Sequence, residues 1–318
     1  MAEAAIELNG VSKSFGRNKV LDGVHLEVRR GEIVGLLGPN GSGKTTTLRI
    51  IAGYIAPDGG IARVCGGDSA ATMPGIRAKI GYFPERPPLY DPLTVVQYLD
   101  FVGAAKGIAP NGRSGAIDKV VDAFWLGEVR DKIVGRLSKG YRQRLGLAQA
   151  MLGDPEVLLL DEPTNGLDPL QIQETRELIR IGGAGRAVIF STHIMQEVAA
   201  LCSRVVVLNH GQVVTVDRPV PDGEGQIVDL DLAGIPAERA KAVFAALPDV
   251  AAVEFRDPAP ADVVRLRCTA RVGGDIRAAV ARAAVGAATL LEMKCHVASF
   301  EERFIESISE VRHDQDAG

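Results

Sequence analysis

Gly38-Pro39-Asn40-Gly41-Ser42-Gly43-Lys44-Thr45 is the stretch on which the reading of this chain turns. It matches in full the pattern G-x-x-x-x-G-K-[ST], in which a glycine-rich loop cradles phosphate. Ile33-Val34-Gly35-Leu36-Leu37 before it reads as a buried strand, and Thr45 to Ala52 after it as a helix stopped by Gly53. That strand, loop, helix context is the one the pattern requires. Glycines at 38, 41 and 43 let the backbone turn tightly and point N–H groups inward, so a nest of donors and a helix N-terminus converge on one anionic group. Lys44 supplies a point charge for the β- and γ-phosphates, and the Thr45 hydroxyl is placed for Mg²⁺. A chance glycine-rich turn ahead of a core helix is the alternative, and the flanks argue against it.

A chain of 318 residues is too long for one ordinary compact core, so two are expected. With 46% hydrophobic and 24% charged residues, a net charge of −4 and 5% aromatics, it has the make-up of a soluble globular protein. It lacks the basic field and stacking rings of a nucleic-acid binder, and no nucleic-acid partner is expected. No apolar run reaches the roughly 18 residues of a membrane span, and Met1-Ala2-Glu3-Ala4-Ala5 resembles no export signal. The chain is therefore expected neither to span a membrane nor to be exported. Cys65, Cys202, Cys268 and Cys295 are scattered without metal spacing, so reduced thiols are expected.

Residues 5 to 37 alternate short apolar runs with turn signals at Gly10, Gly16, Gly23 and Gly31, the texture of an antiparallel β subdomain. Phe15 lies at its edge, as a core residue or as a ring placed to stack on a base. Short strands follow from Gly59 to Ile80. The texture then turns helical over about 86–153, where Thr94-x-x-Gln97 offers a capping box and Val95, Leu99 and Val102 share a face. A glycine-rich loop is expected from Gly103 to Gly115. Leu137-Ser138-Lys139-Gly140-Tyr141 precedes the next helix.

Val157 to Leu160 is a short continuous apolar run ending in Asp161 and Glu162, as in a buried parallel strand with acids at its carboxyl end. Asp161 is placed to hold Mg²⁺ through water and Glu162 to polarise an attacking water; two solvated acids capping a strand are the bland alternative. Another apolar strand, Ala187 to Phe190, leads to Ser191-Thr192-His193. The His193 imidazole can hydrogen-bond a γ-phosphate or the water. Arg218 to Gly225 reads as a linker. Beyond it the βαββαβ order of a small split-βαβ, ferredoxin-like domain is expected, closed by an amphipathic helix from Ser299 that carries Phe300, Phe304, Ile308 and Val311 on one stripe.

Taken together and in this order, Gly38 to Thr45, Leu137 to Tyr141, Leu159 to Glu162, Gly166-Leu167-Asp168-Pro169 and His193 resemble the ATP-binding subunit of an ABC transporter. They look like its Walker A, signature, Walker B, D-loop and switch histidine. The resemblance spans about residues 5 to 215. It implies an α/β fold: a P-loop NTPase core of the ABC type with an antiparallel β subdomain and a helical subdomain, in a domain of residues 1–217. A linker at 218–226 and a small α+β ferredoxin-like domain at 227–318 complete the expectation.

The implied ATP-binding residues are Phe15, Gly38, Pro39, Asn40, Gly41, Ser42, Gly43, Lys44, Thr45 and Thr46, with Ser138 and Gly140 acting from a second copy in a head-to-tail dimer. Lys44, Glu162 and His193 are the implied catalytic set, with ATP as substrate. Thr45, Asp161 and Glu85 are the implied Mg²⁺ ligands. Three positions depart from the family pattern. Lys139 and Tyr141 stand where glycine and glutamine are usual, so Lys139 is expected to keep a positive charge near phosphate and Tyr141 to lose an amide contact. Glu85 stands where a glutamine is usual; it can ligate Mg²⁺ but cannot donate a hydrogen bond.

Ile80 to Glu85, Leu93-Thr94-Val95 and Ser299 to Phe304 are similar to the ATP subunits of ABC-2 exporters. The expectation is an ATPase on the cytoplasmic face of the plasma membrane, driving export through a separately encoded permease. Two readings compete with it: a soluble ABC ATPase working on ribosomes or DNA, and a module that holds ATP without turnover. The chain has neither the paired cassettes nor the long insertions expected of the first, and Glu162 with His193 speaks against the second.

Overall fold

In the computed structural model, which describes residues 4–70, 74–217, 226–256, 262–271 and 275–297, two long strands begin the chain. β1 (Ala4–Phe15) and β2 (Asn18–Arg29) pair antiparallel. Gly10 and Gly23, read from the sequence as turns, lie inside these strands at φ 63° and 62°. The register shifts beside each of them. They are bulges that bend continuous strands, the left-handed conformation being one that glycine adopts without a Cβ penalty.

β3 (Ile33–Leu37) runs into the glycine-rich loop and α1 (Lys44–Ile51). β4 (Gly59–Val64) and β5 (Gly67–Asp68) return to the first sheet, whose order is β2-β1-β4-β5. Its inward face, with Ile6, Leu8, Val11 and Leu21, shares one core cluster with Leu48, Ile50 and Ile51 of α1 and with Val34 and Leu36 of β3. Burial on that scale, of order 2 kcal/mol per large apolar side chain, fixes α1 beneath the loop.

After α2 (Pro74–Ala78), where the sequence suggested only strands, comes β6 (Ile80–Phe83). α3 (Val95–Ala105) opens on the anticipated capping box: Gln97 N donates to Thr94 Oγ1 at 3.3 Å and Thr94 N to Gln97 Oε1 at 2.9 Å. α4 (Pro110–Ala123) begins with proline at its first position, where the missing N–H costs nothing. The expected glycine-rich loop is therefore mostly helix. Gly103 belongs to α3 because α4 crosses it closely; a Cβ there would stand 2.9 Å from Arg113 Cγ. α5 (Lys139–Met151) starts two residues earlier than the expected Tyr141, since Ser138 caps it by accepting from Tyr141 N at 3.4 Å.

β7 (Val157–Asp161), α6 (Pro169–Gly183), β8 (Ala187–Thr192), α7 (Met195–Leu201), β9 (Arg204–Asn209) and β10 (Gln212–Asp217) complete this part. The second sheet has the order β10-β9-β3-β8-β7-β6. All its neighbours are parallel except β10, antiparallel to β9. β7 and β8 are buried throughout, as their unbroken apolar runs require. β3, β8 and β7 are consecutive in the sheet, so their carboxyl ends open on one side, where ligands bind in such folds.

The chain divides into two compact units, Met1–Pro219 and Val220–Gly318. The second holds β11 (Gln226–Ala233), α8 (Ala237–Ala245), β12 (Val250–Phe255), β13 (Val263–Ala270), α9 (Arg277–Ala287) and β14 (Thr289–Val297). Its antiparallel sheet runs β12-β13-β11-β14, the split-βαβ arrangement. Leu230, Leu232, Phe244, Leu266 and Val280 fill its core. Residues 218–225 of the expected linker and the helix expected from Ser299 lie outside the described residues.

Lys106 closes α5. Its Nζ donates to the carbonyls of Gln149, Ala150 and Leu152 at 2.8, 3.0 and 2.8 Å. Burial pulls its pKa down to about 8, so at neutral pH the ammonium keeps all three donors. Lys106→Met leaves those carbonyls without that donor and is expected to cost about 1–3 kcal/mol, measured as a lower midpoint in urea denaturation.

Candidate active site

The sequence places a left-handed residue at the entry to α1, and the fold shows why only glycine serves there. Gly43 has φ 107°; a Cβ on it would lie 2.6 Å from Leu21 Cδ2 and 2.9 Å from the Val20 carbonyl. The loop wraps back on itself, with Ser42 N donating to the Pro39 carbonyl at 3.2 Å. Lys44 is 6% exposed. Its Nζ donates to the Gly38 and Pro39 carbonyls at 2.7 and 3.2 Å.

Two strands away, β7 ends in Asp161, which is 1% exposed. Its Oδ1 accepts from Thr45 Oγ1 at 3.2 Å and from Ser191 Oγ at 2.7 Å. Its Oδ2 is buried without a hydrogen-bond partner. Burial lifts the Asp161 carboxyl above the ordinary range; the Ser191 and Thr45 hydrogen bonds oppose the rise, and the Glu162 and Glu85 carboxylates add to it. A buried carboxylate with a spare oxygen beside a threonine hydroxyl is a donor set that a hard divalent cation fits.

Glu162 follows at φ 47°, a conformation non-glycine residues seldom adopt. Its amide is held by the Ser191 carbonyl and Oγ, both at 3.1 Å. The turn carries its side chain to the same side as Lys44 and His193. Glu162 Oε1 is 3.6 Å from Lys44 Nζ and 3.2 Å from His193 Nδ1. His193 is 42% exposed on its side chain and so stands at the mouth.

These side chains line one open cleft of about 690 Å³. Of the residues singled out by sequence, Asn40, Gly41, Gly43, Lys44, Thr45, Thr46, Glu85, Glu162 and His193 line it. Gly38, Pro39, Ser42 and Asp161 are not among its lining residues; Gly38, Ser42 and Asp161 are buried and Pro39 is exposed. Phe15 is 52% exposed, so it is not core, and it does not line the cleft. Asn18 and Val20, just past the β1–β2 turn, do so instead, and Asn165 is a further wall residue. A polar residue two positions after Gly16 was the only sequence signal for Asn18. Ser191 was quoted in the sequence but given no role; it proves to join Asp161 to Glu162.

Ser138 and Gly140 lie apart from this cleft, at the start of α5. Lys139 does not hold its charge free for phosphate: Nζ donates to the Gly166 carbonyl at 2.7 Å. Tyr141 packs on Arg144, whose guanidinium carbon is 5.2 Å from its ring and 5.4 Å from that of Trp125. Its hydroxyl is 3.3 Å from Glu128 Oε2.

The family model described as "ABC transporter" matches residues 21–165. Another, described as "AAA domain, putative AbiEii toxin, Type IV TA system", matches residues 133–199. The chain is 38% identical over 220 residues to "Nod factor export ATP-binding protein I" of Paraburkholderia xenovorans (strain LB400), covering 69% of this chain and 72% of that one. The chain belongs to the ABC transporter family, as an ATP-binding subunit. It is 35% identical to "Daunorubicin resistance ATP-binding protein DrrA3" of Streptomyces coeruleorubidus, over 73% of this chain and 75% of that relative. Among solved structures, the "Dimeric Structure of MJ0796, a Bacterial ABC Transporter Cassette" superposes with a TM-score of 0.61 at 25% identity, covering 68% of this chain and 99% of that one.

The ABC subunit is thus an ATPase that drives transport, and ribosome or DNA work is set aside. Among the described residues no helix is long and apolar enough to cross a membrane, so the membrane component of the transporter is not among its described helices. Ser191→Ala removes a bond to Asp161 and one to the Glu162 amide. It is expected to lower ATPase turnover several-fold and stability by about 1–2 kcal/mol, read from steady-state kinetics and thermal denaturation.

Proposed function

We propose that this ATPase drives export through a separately encoded integral membrane permease, from the cytoplasmic face of the membrane. The names of its relatives, a Nod factor export protein and a daunorubicin resistance protein, support the outward direction. The one observation that carries the catalytic reading is Glu162 Oε1 between Lys44 and His193 at the mouth of the glycine-rich loop.

Triphosphate binds with its β- and γ-phosphates on the loop amides of residues 38 to 46 and on Lys44, which exchanges its two carbonyl acceptors for charge-assisted bonds to phosphate. That exchange also frees Glu162 from Lys44. Thr45 and Asp161, with Glu85 alongside, would hold Mg²⁺, which when bound would supply positive charge beside the phosphate oxygens. Glu162 orients and polarises the attacking water. His193, hydrogen-bonded to Glu162, contacts the γ-phosphate and holds the carboxylate in place. Asn18 and Val20 line the cleft there, and the exposed ring of Phe15, paired with Asn18 across the β1–β2 turn, is the surface on which the base stacks.

A nucleotide held in this open cleft is covered by a second copy. The start of α5, with a side-chain cap at Ser138 and unpaired amides at Lys139 and Gly140, is an anion-binding end. In a head-to-tail dimer it meets the γ-phosphate seated on the partner. For the permease, the exposed pair Tyr90 and Phe101, 51% and 49% exposed with ring centroids 5.1 Å apart, supplies an aromatic docking patch. It lies just downstream of Glu85, so docking and the cleft share one segment.

Glu162→Gln is expected to bind ATP with wild-type affinity and to lose about 10²–10⁴-fold in turnover, accumulating as an ATP-dependent dimer in sedimentation experiments. Unchanged hydrolysis would move the base elsewhere. The same variant, tagged and recovered with Mg-ATP from detergent-solubilised membranes, is expected to bring down a multi-span protein in near-stoichiometric amount. Phe101→Asp is expected to lose that partner while retaining ATP binding. Recovery of ribosomal or DNA-repair proteins alone would overturn the transporter reading.

A further inference from the structure

Lys139 opens α5 directly after its capping residue. A cation in a first turn is unfavourable, because the helix N-terminus already carries partial positive charge. The ammonium is drawn off that end. It reaches the loop that follows β7 and donates to the Gly166 carbonyl at 2.7 Å. One turn on and on the same face of α5, Gln143 Nε2 donates to the Pro163 carbonyl in a buried bond. The earlier of these two helix positions thus holds the later loop carbonyl, and the later position the earlier one. Contact is close along the seam: a Cβ added at Gly166 would lie 2.2 Å from Lys139 Nζ, and one at Gly140 would lie 3.2 Å from Gln171 Oε1.

The loop held in this way begins at Glu162. Asn165 lines the nucleotide cleft, and its amide donates to the Glu162 carbonyl at 3.1 Å. The Leu167 amide donates to the Thr164 carbonyl at 3.2 Å, and Asp168 caps α6. So the start of α5, which lies apart from its own chain's cleft, is pinned at two points to a loop that forms a wall of that cleft. One pin is a hinge, whereas two fix an orientation. With Gln143 alone, the loop can turn about Pro163.

We propose that Lys139 is a positioning residue that couples the Ser138–Gly140 turn to Glu162. Through it, contact between the start of α5 and a nucleotide on a second copy is felt at the carboxylate of the chain's own cleft. This rests on the ATP-bridged dimer proposed above. The lysine that departs from the family pattern is then a link between the two ATP sites of the dimer, and its acceptor is a backbone carbonyl. An exposed charge-assisted bond is modest in strength, which suits a coupling element rather than a determinant of folding.

The test compares wild type with Lys139→Met and Lys139→Arg. Lys139→Met is expected to lower kcat about 3–10-fold, the equivalent of one such hydrogen bond. KM stays within about twofold, the Hill coefficient falls toward 1, and Tm is unchanged. Lys139→Arg keeps a donor and is expected to restore kcat and cooperativity. In nucleotide-free protein, amide exchange at Asn165 and Leu167 rises several-fold in Lys139→Met and not in Lys139→Arg. An unchanged kcat and Hill coefficient, equal impairment of both variants, or unaltered exchange would each overturn the proposal. Failure of the dimer reading registers separately, as Glu162→Gln protein that stays monomeric with Mg-ATP.

Discussion

Asp161 Oδ1 takes hydrogen bonds from Thr45 and Ser191, and through those two bonds the helix that follows β3 and the ends of β7 and β8 become one object. Each donor comes from a segment that the sheet alone would leave at a loose carboxyl end. The carboxylate is buried, and desolvation favours its protonated form. The unpartnered Oδ2 marks where positive charge is wanted. A bound cation reverses the local balance, as ions do when they are the largest charge in a site. The Thr45 and Ser191 hydrogen bonds offset part of the cost of burying the carboxylate.

That constraint explains the separation between floor and mouth. Lys44 and Asp161 are buried; backbone carbonyls hold the lysine and neighbouring hydroxyls hold Asp161 Oδ1, while Asp161 Oδ2 has no partner. At the mouth, Glu162 and His193 hold one another and can exchange partners. Glu162 sits at φ 47°, a strain of order 1 kcal/mol or more for a side chain of its kind. Its amide is held from β8 by Ser191, and its carbonyl is engaged by Asn165. Strain maintained by both flanks aims the carboxylate across the strand end instead of along the strand direction.

Much of this is legible in the sequence itself. The loop 38 to 45 carries its own geometry in its glycines, and the buried runs 157–160 and 187–190 announce parallel strands because both faces are covered. The capping box at Thr94 was equally plain, being local. What escaped reading was set by contacts remote in sequence. Gly10 and Gly23 look like turns, and only the partner strand makes them bulges. Gly103, Gly112 and Gly115 look like a loop, because a window of sequence does not contain the helix that packs against Gly103. Phe15 is singled out by its aromatic character, whereas Asn18 and Val20, which line the cleft, carry no comparable mark in the sequence. Ser191 had no signal beyond adjacency to His193, since its importance comes from bridging Asp161 and the Glu162 amide.

The two signature departures illustrate the same limit from the other side. Read as isolated substitutions, Lys139 suggests a phosphate ligand and Tyr141 a lost contact. In the fold, each is absorbed by a neighbour that the motif does not include: Gly166 for the lysine, Arg144 and Glu128 for the tyrosine. Arg144 in turn is ion-paired with Glu174 of α6 at 2.6 Å and packed on Trp125, itself at φ 53°. The start of α5 is thus braced on the helical insert by Tyr141 and Arg144, and on the core by Lys139, Gln143 and Glu174.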